Sequence, residues 1–184
     1  MRIEHLINGR SRWTVPAAKM KMRKAHVVPL PTQLVAALRE LHQRTGCGRY
    51  LFPGIGTKHP ILSENTINLV FSKIGYKGRL VGHGTRHTAS TLLREHGWTK
   101  DHVEAQLSHV EEGVAGDYNQ ALYLPHRTAM MQWYANYLDA LKVGITPAQI
   151  CKFEKQVNRH PVVQGGVRQE PCQIRRLLTA IANL

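Results

Sequence analysis

Apolar positions gather in two short runs near the start of the chain and then settle into a helical period. Arg12-Trp13-Thr14-Val15-Pro16 and His26-Val27-Val28-Pro29-Leu30 are β-branched or aromatic runs around a lysine-rich stretch, the pattern of a hairpin with a cationic loop. Pro31-Thr32 opens an amphipathic helix with Leu34, Leu38 and Leu41 on one face, ending near Gly46. Tyr50 to Pro60 reads as a loop. Ser63 then reads as the N-cap of a helix carrying Ile67, Val70, Phe71 and Ile74 and stopping at Gly75. The next helix runs from about His83 to His96, with Gly97 as its stop. Thr99 caps another, with Asp101 in the first turn and Val103 and Leu107 at buried positions. Pro125 stands at the first position of the longest helix, where Ala129, Trp133, Tyr137 and Leu141 recur every four residues before Gly144. Thr146-Pro147-Ala148-Gln149 has the form of a capping box and starts a helix to about Asn158. The segment 160–171 contains Pro161, Gly165 and Gly166 and reads as a linker before a short final helix. The expected fold class is mainly α with a small β-hairpin or sheet, an α+β arrangement.

Composition narrows the picture. At 184 residues and 42% hydrophobic, the chain is large enough for one domain, or one with an appendage. No apolar run reaches the roughly 20 residues of a membrane span, and the N-terminus has no signal-peptide core, so the expectation is a cytoplasmic protein without a membrane partner. Cys47, Cys151 and Cys172 are odd in number and widely spaced, which reads as reduced thiols. The net charge of +13 is uneven: ten basic and two acidic side chains over 1–50, seven and two over 51–100, two and six over 101–150, six and two over 151–184. A polyanion-facing surface is therefore expected from the first hundred residues, with binding that weakens steeply with salt. Charge alone leaves DNA, RNA and anionic lipid open.

The chemistry-bearing pattern is Gly82-His83-Gly84-Thr85-Arg86-His87, then Leu107-Ser108-His109, then Tyr118. Histidines and an arginine at a helix start can gather on one phosphate, and a nearby tyrosine can attack it to form a covalent intermediate. Zinc is not expected on His83 and His87, because Gly84 stands where a metalloprotease helix needs Glu and Arg86 repels a cation. Tyr123, five residues beyond Tyr118, is a rival nucleophile. Trp133, Tyr134 and Tyr137 read as core, His87 as a residue packed behind the site. His5, His42, His59, His96, His102, His126 and His160 read as exposed or capping.

Taken together, His83-Gly84-Thr85-Arg86 as an H-x-x-R box, Leu107-Ser108-His109 as an L-x-H box and Tyr118 at the nucleophile's spacing resemble the tyrosine recombinases, the phage-type integrases. The resemblance covers about residues 10–143. Lys19-Met20-Lys21-Met22, Tyr118-Asn119 and Ala129-Met130-Met131-Gln132-Trp133 are similar to the enterobacterial prophage type. It implies a catalytic domain that cuts and rejoins double-stranded DNA at attachment sites without metal, ATP or other cofactor, as a homo-oligomer on DNA. Tyr118 would be the nucleophile, Arg86 the holder of the non-bridging oxygens, His83 a proton-transfer group and His109 a phosphate hydrogen-bond donor. Lys21 would be the acid for the leaving hydroxyl, with Lys19 and Lys24 as alternatives; Lys19, Arg23 and Lys24 would contact DNA. The family also carries an arginine in an R-x-x-E box upstream of the hairpin, which Arg2-Ile3-Glu4-His5 does not match. The expectation is thus a catalytic domain incomplete at its N-terminus over 1–144, with a C-terminal helical extension over 145–184. The alternative is a catalytically inactive DNA-binding remnant.

Overall fold

The computed structural model describes residues 12–20, 23–46, 48, 50–54, 60–109 and 123–158. Strands β1 (Arg12–Val15) and β2 (His26–Pro29) pair antiparallel, with Arg12 opposite Pro29 and Val15 opposite His26. The helices are α1 (Thr32–Thr45), α2 (Thr66–Phe71), α3 (Gly82–Glu95), α4 (Lys100–Gln106), α5 (Leu124–Val143) and α6 (Pro147–Asn158). The architecture is mainly α with one two-stranded sheet.

Helix ends follow local chemistry. At the end of α3, Gly97 takes φ +91°, its N–H donates to Arg94 O, and Trp98 N–H donates to Leu93 O. These are the paired bonds of a Schellman stop, with Trp98 and Leu93 both in the core beside it. At the start of α6 the capping box forms: Thr146 N–H donates to Gln149 Oε1 at 2.8 Å, and Gln149 N–H returns to Thr146 Oγ1 at 3.4 Å.

Two apolar clusters form. The larger joins α3, α4, α5 and α6 through Leu93, Trp98, Val103, Met130, Trp133, Tyr137 and Val157. The smaller joins the hairpin to α1 through Leu30, Leu38 and Leu51, with Trp13, Val28, Val35 and Leu41 packed against it. Between α1 and α5 the contact is polar and mostly solvent-exposed. Gln33 donates to Asn136 and Asp139, Gln132 donates to Gln33, and Thr32 N–H donates to Gln132.

Several expectations need correction. Ser63 is not the N-cap of α2; Asn65 precedes the helix, and Ser63 instead accepts a turn bond from Thr66 N–H. That helix is shorter than its apolar pattern suggests, because it passes into a π-turn at Ser72–Tyr76 that Gly75 breaks at φ +91°. Ile67, Val70 and Ile74 are exposed there. The described residues of Tyr50 to Pro60 are irregular, as expected of a loop, with an isolated antiparallel bridge between Pro53 and Ile61. Thr99 precedes α4 but makes no side-chain cap bond. His96 takes the C-cap position of α3, as a capping residue would, but is buried there against the Trp133 and Tyr137 rings at 5.1 and 4.6 Å; His102 is neither exposed nor capping, being buried and stacked on His126 at 5.1 Å. An imidazole is flat and half apolar, so it packs among aromatic rings.

Candidate active site

The site is assembled at the start of α3 and the end of α4. Asn68 of α2 fixes the former by accepting the Gly82 N–H at 2.8 Å. A side chain at Gly82 would meet Ile67 and Asn68 at 3.5 and 3.6 Å, ordinary contact distance, so α2 packs against this turn. His83 follows in the first turn, exposed, with its ring edge-on to His87 at 4.9 Å. Arg86, one turn further, is half-buried, and its Nη2 donates to the carbonyl of Leu107. That single bond joins the two motif segments, which are 21 residues apart.

The Leu107-Ser108-His109 segment is itself a helix stop. Ser108 N–H donates to Ala105 O and His109 N–H to Glu104 O at 3.0 Å, the same paired bonds that end α3. Here the left-handed position is held by a serine, at φ +57°. A non-glycine residue in that region is destabilised by about 1–2 kcal/mol, so the turn stores strain next to the histidine it presents. His109 is exposed, and its Nδ1 lies 2.5 Å from Glu104 Oε2. The Glu104 carboxylate also lies 3.7 Å from Arg94 of α3. With Nδ1 engaged by a carboxylate, the ring's orientation is fixed and Nε2 is the nitrogen left for a ligand.

A second layer lies beneath. The last residue of α4, Gln106, accepts from the His26 ring at 3.3 Å through its carbonyl and from Arg127 Nε at 3.0 Å through its side chain. Arg127 Nη2 also donates to Val27 O at 2.5 Å. Burial and the neighbouring Arg127 and Arg86 cations hold His26 below the ordinary histidine range, opposed in part by its bond to Gln106. Burial lowers Arg127 to about 10. Neither His26 nor Arg127 was singled out from the sequence. For Arg127 a signal exists: it lies three, six and ten residues before Met130, Trp133 and Tyr137, on the buried stripe of α5.

The structure therefore joins Arg86 to the Leu107-Ser108-His109 turn and places His83 on the same helix as Arg86. Lys19 ends a short 3₁₀ turn and is exposed; Arg23, also exposed, takes φ +51°, and Lys24 is exposed beside it. Tyr118 and Lys21 lie outside the described residues. Among the described residues no group of histidine, cysteine or acidic side chains is arranged to hold a metal ion, and no helix is long and apolar enough to cross a membrane.

Comparison with known proteins identifies the family. The model of the phage integrase family matches residues 1–124. The prophage integrase IntZ of Escherichia coli (strain K12) is 46% identical over 132 residues, covering 71% of this chain and 33% of the relative. The integrase of Shigella phage Sf6 is 44% identical over 128 residues, 68% of this chain and 33% of the relative. The prophage integrase IntA of Escherichia coli (strain K12) is 38% identical over 135 residues, 73% and 33%. The chain thus spans about a third of the length of these relatives. No solved structure gives a significant match.

Proposed function

The chain belongs to the phage integrase family, and from that membership we propose that it is the catalytic part of a tyrosine recombinase, acting in site-specific DNA integration. In this reading residues 1–144 form the partial catalytic domain and 145–184 a C-terminal extension. The Tyr118 oxygen attacks a DNA phosphorus, the bond from phosphorus to the leaving sugar oxygen breaks, and a phosphotyrosyl diester results. One phosphodiester replaces another, so a second DNA hydroxyl can reverse the step without ATP. The phenol, with an ordinary pKa of about 10, needs help in losing its proton, which His83 supplies; Lys21 returns a proton to the leaving oxygen. Arg86 and His109 stabilise the charge gathering on the non-bridging oxygens.

The observation that carries this reading is the bond from Arg86 to Leu107 O. It occupies one of the five guanidinium donors and fixes the plane of the others, so the fork meets a phosphate already oriented. The cations at Lys19, Arg23 and Lys24 supply sequence-independent attraction to the DNA backbone. The test is a denaturing gel with labelled, nicked duplex carrying an attachment-site core. A slow covalent band in the parent that is absent in Tyr118→Phe supports the recombinase. Duplex retardation without that band in the parent supports the non-catalytic DNA-binding remnant instead.

A further inference from the structure

We propose that Arg127 is a positioning residue of this site, holding the hairpin that carries the general-acid lysine against the turn that presents His109. The inference rests on the recombinase reading above, since it assigns a purpose to a linkage within that site.

Arg127 is fully buried, with 0% of its surface exposed. It therefore cannot touch a DNA phosphate and acts only through what it holds. Its side chain starts on α5, crosses to the Gln106 side chain at the end of α4, and reaches the Val27 carbonyl on β2. Three elements distant in the chain meet on one guanidinium. Around Gln106 the bonds are consecutive: its side chain takes Arg127, its carbonyl takes the His26 ring, and the next carbonyl, Leu107, takes Arg86. β2 contributes both His26 and Val27 to this cluster, so the hairpin's place relative to Arg86 is set by these bonds.

The apolar alternative is easy to picture, which makes the arginine informative. The position lies on the buried stripe of α5, where Leu or Met would fill the space without burying a charge. Among the described residues the acceptors of Arg127 are neutral, and its Nη1 has none. A fold needing only adhesion gains little from such a group. A site needing two segments held at fixed separation gains a rigid planar fork with directional donors.

The test uses the full chain and two nicked duplexes, one with the ordinary bridging oxygen at the leaving position and one with sulfur there. A thiolate leaves without being protonated, so the sulfur duplex dispenses with the hairpin lysine. Arg127→Met should lower covalent adduct formation about 100-fold on the oxygen duplex, the size of an ångström-scale misplacement, and by less than about tenfold on sulfur. Arg127→Lys, which keeps the charge but not the fork, should show a smaller loss with the same recovery on sulfur. Equal losses on both duplexes overturn the proposal in favour of a general folding defect. Amide hydrogen exchange supplies a readout independent of activity. The amides of residues 26–28 should lose protection in Arg127→Met while 130–137 keep theirs, and unchanged protection at 26–28 overturns the linkage. Should the parent form no adduct on either duplex, the recombinase reading fails, and the exchange result alone then decides whether Arg127 holds the hairpin.

Discussion

The two Schellman stops offer a controlled comparison within one molecule, since α3 ends on Gly97 at φ +91° and α4 on Ser108 at φ +57°. Replacing Ser108 with glycine removes a left-handed penalty of about 1–2 kcal/mol. Glycine returns part of that through the greater freedom of the unfolded chain, about 0.5–1 kcal/mol. The net expectation for Ser108→Gly is a gain of about 0.5–1 kcal/mol, or about 1–4 °C in Tm for a chain of this size. Gly97→Ala should lose a similar amount. A Cβ there meets nothing nearer than Val157 Cγ1 at 3.8 Å, ordinary contact distance, so the loss is one of backbone alone. Ser108→Val adds branching at a positive φ and should fall below the parent by about 1 kcal/mol or more. Thermal melts followed by tryptophan fluorescence, with Trp98 and Trp133 in the core, read all three variants. Parent-like melting of both Ser108→Gly and Ser108→Val would refute the reasoning, because it would mean that Ser108 is not held left-handed in solution.

Other outcomes follow from the same contacts. His26 and His96 are both held below the ordinary 6.5, chiefly by burial, so below that pH the unfolded chain binds protons that the folded chain refuses. Stability should therefore fall as pH drops through 6.5 toward the depressed folded values, and His96→Phe should flatten the decline in urea melts at about pH 7.5 and about pH 5.5. Trp133 packs on Tyr137, His96, Trp98 and Phe153 and donates to Phe153 O at 3.1 Å, so Trp133→Ala should cost about 3–5 kcal/mol by chemical denaturation. Thr146→Ala removes the cap of α6 and should cost about 0.5–2 kcal/mol in the same assay. Changing Lys19, Arg23 and Lys24 together to alanine should flatten the log–log salt dependence of duplex retardation by about 3, and an unaltered slope would show that the loop does not contact phosphate.

Much of the fold was legible because local chemistry and tertiary demand agree. The β-branched runs formed the hairpin, Gly97 and Gly144 ended their helices, and Thr146 with Gln149 closed the capping box. The failures share a cause, which is that periodicity assigns apolar residues inward and charged or polar ones outward. Ile67, Val70 and Ile74 have the spacing of a buried face, yet α2 ends too early for them to reach a core. His102, 1% exposed, and Arg127 were read past because side chains that carry charge are ordinarily solvated. The left-handed Ser108 left no trace, since the residue that marks such a stop is glycine. Of the candidate site, the convergence of Arg86 with Leu107-Ser108-His109 was foreshadowed by the motif spacing, while the layer of His26, Gln106 and Arg127 beneath it exists only through contacts across the fold.

The polar contact between α1 and α5 bears on how the molecule comes apart. Water competes for most of the amides in that seam, so it welds the two apolar clusters less firmly than a shared interior would. The hairpin with α1 is held to the larger cluster chiefly by the buried bonds of Arg127 and His26 to Val27 and Gln106, so in Arg127→Met it should open as a foldon of its own, at a free energy below that of global unfolding. In a calorimeter this appears as a van't Hoff enthalpy smaller than the measured heat. A duplex lying across the hairpin cations and the start of α3 grips both halves together, and its addition should fuse the two transitions into one.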